Sequence, residues 1–398
     1  MKKILAIIAT TFALLQTTQA QPQQDTMFIH RGQTIFEFAI ENVDSIVPVL
    51  GATADLDELR IYKDGEMCET FLINEIDSII FYRVDVFANG VLDFGTGSIL
   101  YNFHSPMANF PVRLHYHIPR GGDPTTMPIL FSMHGNGRNA VGQINAWRDF
   151  ADHFQVMVFA PEFSTQFFPG NIQYHRGWVS NSGTLWVPRP DSLWSFTLIE
   201  HMFDFILEQT GSKETRYDIV GHSAGSQFVH RMMFFLPDAR IRTGIASNAG
   251  FYMMPTLTGE YGGGTFNFPY SLGGTGTTFN EVDLEAYFGR RLIIHLGMGD
   301  TVQDGDVSTT PGANAQGEGP SRLSRGHFFY NFAKQTAKTM GVPFNWILVE
   351  VPGVAHNAQR MIQAPNVGSA ALLFTNPSQS INQKSKIKKS ELCSSPEQ

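Results

Sequence analysis

A serine between two glycines separates an apolar stretch from a helical pattern in the segment DIVGHSAGSQ, residues 218 to 227. The serine is Ser223, and Gly221 and Gly225 leave room for a sharp turn from a strand into a helix. Such a turn would lift the hydroxyl above the sheet, while the first N–H groups of the helix would face an anion. We therefore predict that Ser223 is a nucleophile. The alternative is a serine in an ordinary tight turn.

A serine hydroxyl is a poor nucleophile unless a base, an orienting acid and donors for an oxyanion surround it. The sequence offers an acid and then a histidine, each directly after an apolar stretch. Asp300 follows the stretch that ends near Leu296, and His356 follows the stretch NWILVEV. Asp304 and Asp306 compete with Asp300 for the role of the acid.

Donors for the oxyanion are expected from two further positions. The turn in SMHGNGRNA contains Asn136, and Ala224 directly follows the nucleophile, so the backbone N–H groups of both can face the oxyanion. His222 lies inside the serine motif and is assigned to packing. The acidic loop after Asp300 lacks the other ligands of a calcium site, and no histidine pair has the spacing of a zinc hydrolase. We therefore expect neither a metal nor another cofactor.

Short apolar runs alternate with helical patterns along most of the chain. The predicted strands lie at residues 112–119, 128–135, 155–161, 216–221, 241–249, 291–299 and 345–353. The predicted helices lie at residues 139–153, 190–209, 224–236, 321–340 and 358–374. This alternation predicts an α/β fold, with a mostly parallel sheet and helices on both faces. Sheets of this kind carry their sites at the carboxyl ends of the strands. The Gly-rich and aromatic stretch 250–280 is predicted to be a loop beside the site.

The N-terminal region contains a signal and a repeat. Residues 1–20 have the basic start, apolar middle and small-residue end of a secretory signal peptide, which is too short for a membrane anchor. Residues 25–83 form a small module of two β-hairpin units, because FIHRGQTIFEFAIENVDSI matches IYKDGEMCETFLINEIDSI at an offset of 33 residues. The module resembles an element near the N-terminus of many secreted Bacteroidetes proteins. A catalytic domain at 84–375 and a disordered polar tail at 376–398 are expected to follow.

Charge and cysteine content exclude some classes of partner. Removal of Lys2 and Lys3 with the signal lowers the net charge from −8 to −10, so nucleic acid is not expected as a partner. The two cysteines form neither a disulfide framework nor a cysteine-based metal site. We expect a secreted protein, periplasmic or extracellular, without a transmembrane anchor. The sequence leaves its oligomeric state open.

The segments GHSAG, HGNGRNA, GDTV and VPGVAH, in this order, resemble secreted α/β-hydrolases of the polyhydroxybutyrate depolymerase and feruloyl esterase kind. The resemblance extends over about residues 110 to 374. It implies that Ser223 is the nucleophile, with His356 as its general base and Asp300 as the acid that orients the base. It also implies an oxyanion hole formed near Asn136 and by Ala224.

The substrate is less defined than the reaction. Enzymes of this kind often have a second glycine where this chain has Ser226, so the acyl and alcohol groups of the substrate stay open. Trp178, Trp186 and Tyr252 are candidates for stacking on a sugar or an aromatic acyl group.

We predict a secreted serine esterase that needs no cofactor and acts on a small-molecule, polysaccharide or polyester ester. A serine peptidase is one alternative, because a triad does not distinguish an ester from an amide. A surface or binding protein that retains the fold without activity is another.

Overall fold

The structure is a computed structural model. It describes residues 25–31, 34–39, 43–76, 78–83, 91–120, 122–302 and 317–374. The predicted signal peptide at 1–20 and the predicted polar tail at 376–398 lie outside the described residues. The chain divides into two compact units, Met1–Asp93 and Phe94–Gln398.

The described part of the first unit contains six strands in two antiparallel sheets. They are β1 Asp25–Arg31, β2 Thr34–Ala39, β3 Ser45–Val49, β4 Glu58–Lys63, β5 Glu66–Leu72 and β6 Ser78–Arg83. The order is β2-β1-β6 in one sheet and β3-β4-β5 in the other. Each copy of the repeat therefore forms a hairpin, and its third strand pairs with the hairpin of the other copy. The two copies share one core, which includes Met27, Ile29, Leu59, Ile61 and Phe71.

The second unit is built on one large sheet. Its strands, as far as the structure describes them, are β7 Gly95–Tyr101, β8 Val112–Ile118, β9 Ile129–Met133, β10 Met157–Glu162, β11 Tyr217–His222, β12 Ile241–Ser247, β13 Glu260–Tyr261, β14 Gly264–Thr265, β15 Leu292–Gly297 and β16 Ile347–Val351. Eight of them form a sheet in the order β16-β15-β12-β11-β9-β10-β8-β7. The strands from β16 to β10 are parallel, while β8 is antiparallel to both β7 and β10. The predicted mostly parallel sheet is confirmed.

Helices cover both faces of this sheet. Those in the described residues are α1 Ala140–Phe154, α2 Thr197–Thr210, α3 Ala224–Phe235, α4 Glu281–Phe288, α5 Arg322–Met340, α6 Ala358–Gln363 and α7 Ser369–Phe374. On one face, Leu130 of β9 packs in a core with residues of α1, α6 and α7. On the other, the next residue along β9, Phe131, contacts Tyr217, which in turn contacts Phe203 of α2. The faces alternate because successive strand side chains point to opposite sides.

Four elements differ from the prediction. The helix expected at 190–209 begins only at Thr197 as α2, after a separate 3-10 turn at Asp191–Leu193. β7 was not predicted, because its sequence GTGSILY starts with glycines and forms a half-exposed strand at the edge of the sheet. The expected loop 250–280 contains the short hairpin of β13 and β14. The single helix expected at 358–374 is two helices, since α6 ends at Gln363 and Pro365 cannot continue it. None of the described helices is both long and apolar enough to cross a membrane.

Candidate active site

Ser223 lies in a strained turn at the carboxyl end of β11. Its φ of 58° and ψ of −115° are unusual for a residue with a side chain, and such conformations cost on the order of 1–3 kcal/mol. Its backbone N–H donates to Ser247 O of β12 at 2.9 Å. Although Ser223 is the N-cap of α3, its side chain makes no capping hydrogen bond. The turn therefore leaves the hydroxyl outside the hydrogen bonding of the helix.

The two glycines of the motif are required by close packing. Neither has a positive φ. A Cβ atom on Gly221 would overlap the carbonyl oxygen of Gly225, and one on Gly225 would overlap the carbonyl oxygen of Met133 in β9. Because the overlapping atoms belong to the backbone, no side-chain rotation can relieve the overlap. The glycines thus allow α3 to start directly against the sheet, which positions Ser223.

His356 and Asp300 form a hydrogen-bonded pair. His356 Nδ1 lies 2.7 Å from Asp300 Oδ2. The Asp300 side chain is 1% exposed, whereas that of His356 is 32% exposed. An imidazole that donates from Nδ1 to a carboxylate presents Nε2 as a base. Asp304 and Asp306, the other candidate acids, lie outside the described residues.

Asn248 connects the loop of the acid to the loop of the base. It lies directly after β12, is fully buried and has a φ of 50°. Its Oδ1 accepts from Gly297 N at 2.8 Å, and its Nδ2 donates to Ala355 O at 3.4 Å. Sequence reasoning missed this residue. The only local signal was an asparagine after a strand, a residue type that tolerates positive φ.

Arg322 also contacts the acid. It is the first residue of α5, and its Nη1 lies 3.6 Å from Asp300 Oδ1. Sequence reasoning did not select Arg322, since the arginine is separated from Asp300 by more than twenty residues. Within the described residues, no three side chains of His, Cys, Asp or Glu are grouped as metal ligands.

The glycine-rich turn after β9 passes beside the nucleophile. A Cβ atom built on Gly135 would lie 3.6 Å from Ser223 Cβ, and the exposed Asn136 follows in the same turn. Ala224 is buried as the first residue of α3. The first N–H groups of a helix have no partner within the helix. The structure therefore brings the turn that contains Asn136 close to Ser223, and Ala224 follows Ser223 directly. The oxyanion role of both residues stays a prediction.

His134 holds this turn in place. Its Nε2 accepts from Phe163 N at 3.1 Å, and its Nδ1 lies 2.9 Å from Gly135 O. Burial lowers the pKa of His134 to about 3, so the ring is neutral near pH 7. The Tyr174 hydroxyl donates to His134 O at 2.6 Å. This hydrogen bond attaches the loop after β10, which contains Tyr174, to the turn after β9.

His222 packs against the base. Its ring centroid lies 4.5 Å from that of His356. Burial lowers the pKa of His222 well below its ordinary value, so this ring is also neutral. Among the described residues its Nε2 has no hydrogen-bond partner.

Two of the three aromatic candidates are not positioned to stack on a substrate at Ser223. Tyr252 is fully buried and stacks on Phe329 at 4.4 Å, so its ring has no free face. Trp186 packs on Phe235 at the end of the 12-residue helix α3. At a rise of 1.5 Å per residue, this contact lies about 18 Å from the nucleophile. The predicted roles of Tyr252 and Trp186 are therefore corrected to packing.

Trp178 is partly exposed in the loop after β10, the loop that Tyr174 attaches to the turn after β9. The Arg189 guanidinium lies 4.2 Å above its ring, and Phe110 contacts it edge-on. The role of Trp178 in substrate contact therefore stays a prediction.

Three arginines lie in the turn after β9 and in the loop after β10. None of them forms an ion pair with a carboxylate in the part of the chain that the structure describes. They are Arg138, Arg176 and Arg189. Their guanidinium groups donate to oxygens of Phe168, Gly183 and Asn181. No carboxylate of the described residues pairs with these three positive charges, in a chain with a net negative charge.

No family model and no curated protein matches the chain. Solved structures do match. Poly(aspartic acid) hydrolase-1 from Sphingomonas sp. KT-1 is 37% identical with a TM-score of 0.60, over 67% of this chain and 96% of that one. A poly(3-hydroxybutyrate) depolymerase from Bordetella parapertussis is 28% identical with a TM-score of 0.59, over 68% of this chain and 88% of that one. These similarities confirm the α/β-hydrolase fold predicted from the sequence.

Proposed function

This chain belongs to the α/β-hydrolase family that includes poly(aspartic acid) hydrolase-1, and from that premise we propose that it is a secreted serine hydrolase of carboxylic esters. The observation that carries the proposal is the 2.7 Å hydrogen bond between His356 and the buried Asp300. This pair lies beside the strained Ser223 turn, because the His356 ring packs on His222, the residue before the serine.

The proposed reaction proceeds through an acyl-enzyme. Ser223 Oγ attacks the ester carbonyl carbon while His356 Nε2 accepts the hydroxyl proton, and Asp300 stabilises the resulting imidazolium. The tetrahedral intermediate collapses as His356 protonates the leaving alcohol. Water then attacks the acyl carbonyl carbon while His356 Nε2 accepts a proton from the water. The imidazolium returns this proton to Ser223 Oγ as the bond between Oγ and the acyl carbon breaks and the carboxylic acid is released.

Backbone donors from Asn136 and Ala224 would bind the oxyanion of each tetrahedral intermediate. Loss of one such donor typically costs about 2.7–4 kcal/mol of transition-state stabilisation. In the described structure Ser223 and His356 do not form a hydrogen bond with each other. Catalytic hydrogen bonds of this kind are often long in the free enzyme and shorten when the substrate binds.

A second candidate is hydrolysis of amide bonds in an anionic carboxylate polymer. The relative with 37% identity is named for poly(aspartic acid). The observation that favours this candidate is that Arg138, Arg176 and Arg189 each lack a carboxylate partner among the described residues. Unpaired guanidinium groups recognise carboxylates by charge-assisted hydrogen bonds.

Fluorophosphonate labelling and a substrate panel test these proposals. Wild-type protein should be labelled stoichiometrically, Ser223→Ala should not be labelled, and the control Ser226→Ala, three residues further on, should be labelled as wild type. The panel consists of p-nitrophenyl butyrate, a feruloyl ester, poly(3-hydroxybutyrate) and poly(aspartic acid). Full hydrolysis by Ser223→Ala would refute the serine mechanism.

The panel also separates the two candidates. Cleavage of the esters but not of poly(aspartic acid) supports the esterase, and the reverse result supports the amide hydrolase. For the second candidate, Arg189→Gln should raise KM for poly(aspartic acid) and leave KM for p-nitrophenyl butyrate unchanged. An equal effect on both substrates would contradict recognition of anionic groups by Arg189.

Secretion is proposed from the pattern of residues 1–20. N-terminal sequencing of the protein released by a producing cell should show a chain that starts after Ala20. Recovery of the intact N-terminus from the cytoplasm would contradict this proposal.

A further inference from the structure

Both oxygens of the Asp300 carboxylate face a positively charged or proton-donating partner. Oδ2 lies 2.7 Å from His356 Nδ1, and Oδ1 lies 3.6 Å from Arg322 Nη1. Asp300 is 1% exposed and the Arg322 side chain is 16% exposed. The ion pair is therefore largely shielded from solvent, where salt screens it weakly.

The start of α5 is attached to Asp300 at a second point. Leu323 N donates to Asp300 O at 3.2 Å. The same turn of the helix is closed by a capping box, in which Ser321 Oγ accepts from Ser324 N at 3.2 Å and Ser324 Oγ accepts from Ser321 N at 2.9 Å. Arg322 thus extends from a backbone that is itself fixed relative to Asp300.

We propose that Arg322 is a positioning residue for the catalytic pair, an inference that rests on the proposed serine hydrolase function. The Arg322 guanidinium attracts Oδ1 of Asp300 and so fixes the side-chain torsion angle of the carboxylate. At this angle Oδ2 accepts the Nδ1 proton of His356. The guanidinium also compensates the negative charge of a carboxylate that burial would otherwise destabilise. The His222 ring, which also packs against His356, is neutral.

Substitution of Arg322 should change kcat far more than KM. Arg322 acts through Asp300 on the orientation of the base, which matters mainly in the transition state. For Arg322→Gln we expect kcat to fall about 10- to 100-fold, the size of effect that a small misplacement of a catalytic group produces. Arg322→Lys retains the charge and should recover part of the loss.

Two further measurements distinguish positioning from a purely structural role. In the Asp300→Asn background, Arg322→Gln should cause little further loss of kcat, because residues that act as a unit are not additive. In wild-type protein, the Nδ1–H proton of His356 should give a low-field proton NMR signal. That signal should weaken or move in Arg322→Gln.

Lys338→Gln is the matched control. It removes a positive charge from the exposed end of the same helix, about 24 Å from Arg322 along the axis. Its kcat should equal that of wild type. Thermal unfolding establishes that each variant is folded. If Arg322→Gln does not fold, Arg322→Lys is compared with wild type instead. In that variant kcat must fall while KM stays constant.

The outcomes separate this inference from the proposed function. If wild-type protein hydrolyses p-nitrophenyl butyrate and Arg322→Gln has the same kcat, the positioning role is wrong. Fully additive losses in the double variant, or an unchanged NMR signal, would also overturn it. If wild-type protein is neither labelled by fluorophosphonate nor active on any substrate, the proposed function itself is wrong.

Discussion

Replacement of Asn248 by alanine should loosen the connection between the acid and the base. The variant would leave the buried Gly297 N–H without its acceptor, now 2.8 Å away, and remove the 3.4 Å hydrogen bond to Ala355 O. An unsatisfied buried donor costs about 1–3 kcal/mol, and a lost neutral hydrogen bond costs about 0.5–1.5 kcal/mol. The amide of Asn248 should therefore contribute about 2–4 kcal/mol to the free energy of unfolding.

Alanine at position 248 would also have to adopt a φ of 50°. The left-handed conformation costs a residue with a Cβ atom about 1–2 kcal/mol, and asparagine tolerates it better than alanine. Asn366 is the matched control, because it has a φ of 64° and is exposed. Asn366→Ala therefore measures the backbone contribution without the buried amide.

Urea unfolding of the three proteins tests this reasoning. Asn248→Ala should lose about 3–6 kcal/mol of unfolding free energy, and Asn366→Ala no more than about 2 kcal/mol. Because Asn248 joins the loops of Asp300 and His356, kcat should fall in Asn248→Ala alone. Equal stability of the two variants, or an unchanged kcat in Asn248→Ala, would refute the role of the amide.

Three further predictions concern Gly225, His134 and Tyr252. Gly225→Ala should fail to fold or lose more than about 3 kcal/mol of stability in urea unfolding, since its Cβ would overlap Met133 O; a stable, active variant would contradict this. His134 binds a proton near pH 6.5 when unfolded and near pH 3 when folded, so its contribution to stability is complete above pH 6.5 and is lost as the pH falls toward 3. His134→Gln should therefore show a shallower decline of unfolding free energy than wild type over this range, and identical slopes would argue against it. Tyr252→Phe should leave kcat/KM unchanged, because the ring is buried against Phe329; a tenfold loss would restore Tyr252 as a substrate contact.

Most of the correct predictions about the fold came from local sequence patterns. The seven strands of the large sheet that were predicted are short apolar runs. All of them except the edge strand β16 are largely buried, because both faces of the sheet are covered. β7 was not predicted because this edge strand is half-exposed and lacks a long continuous apolar run. In the N-terminal unit the repeat indicated two hairpins. The exchange of their third strands depends on pairing between segments far apart in the chain, which no local pattern contains.

The sequence by itself determined the strand-turn-helix around Ser223 and the positions of Asp300 and His356 directly after strands, since these depend on neighbouring residues. Only the tertiary structure decided that Asp300 reaches His356, that Asn248 and Arg322 support the pair, and that Trp186 and Tyr252 serve packing. These relations join residues from different strands and helices. Their distances are set by how the elements pack against one another, and packing is a property of the folded chain as a whole.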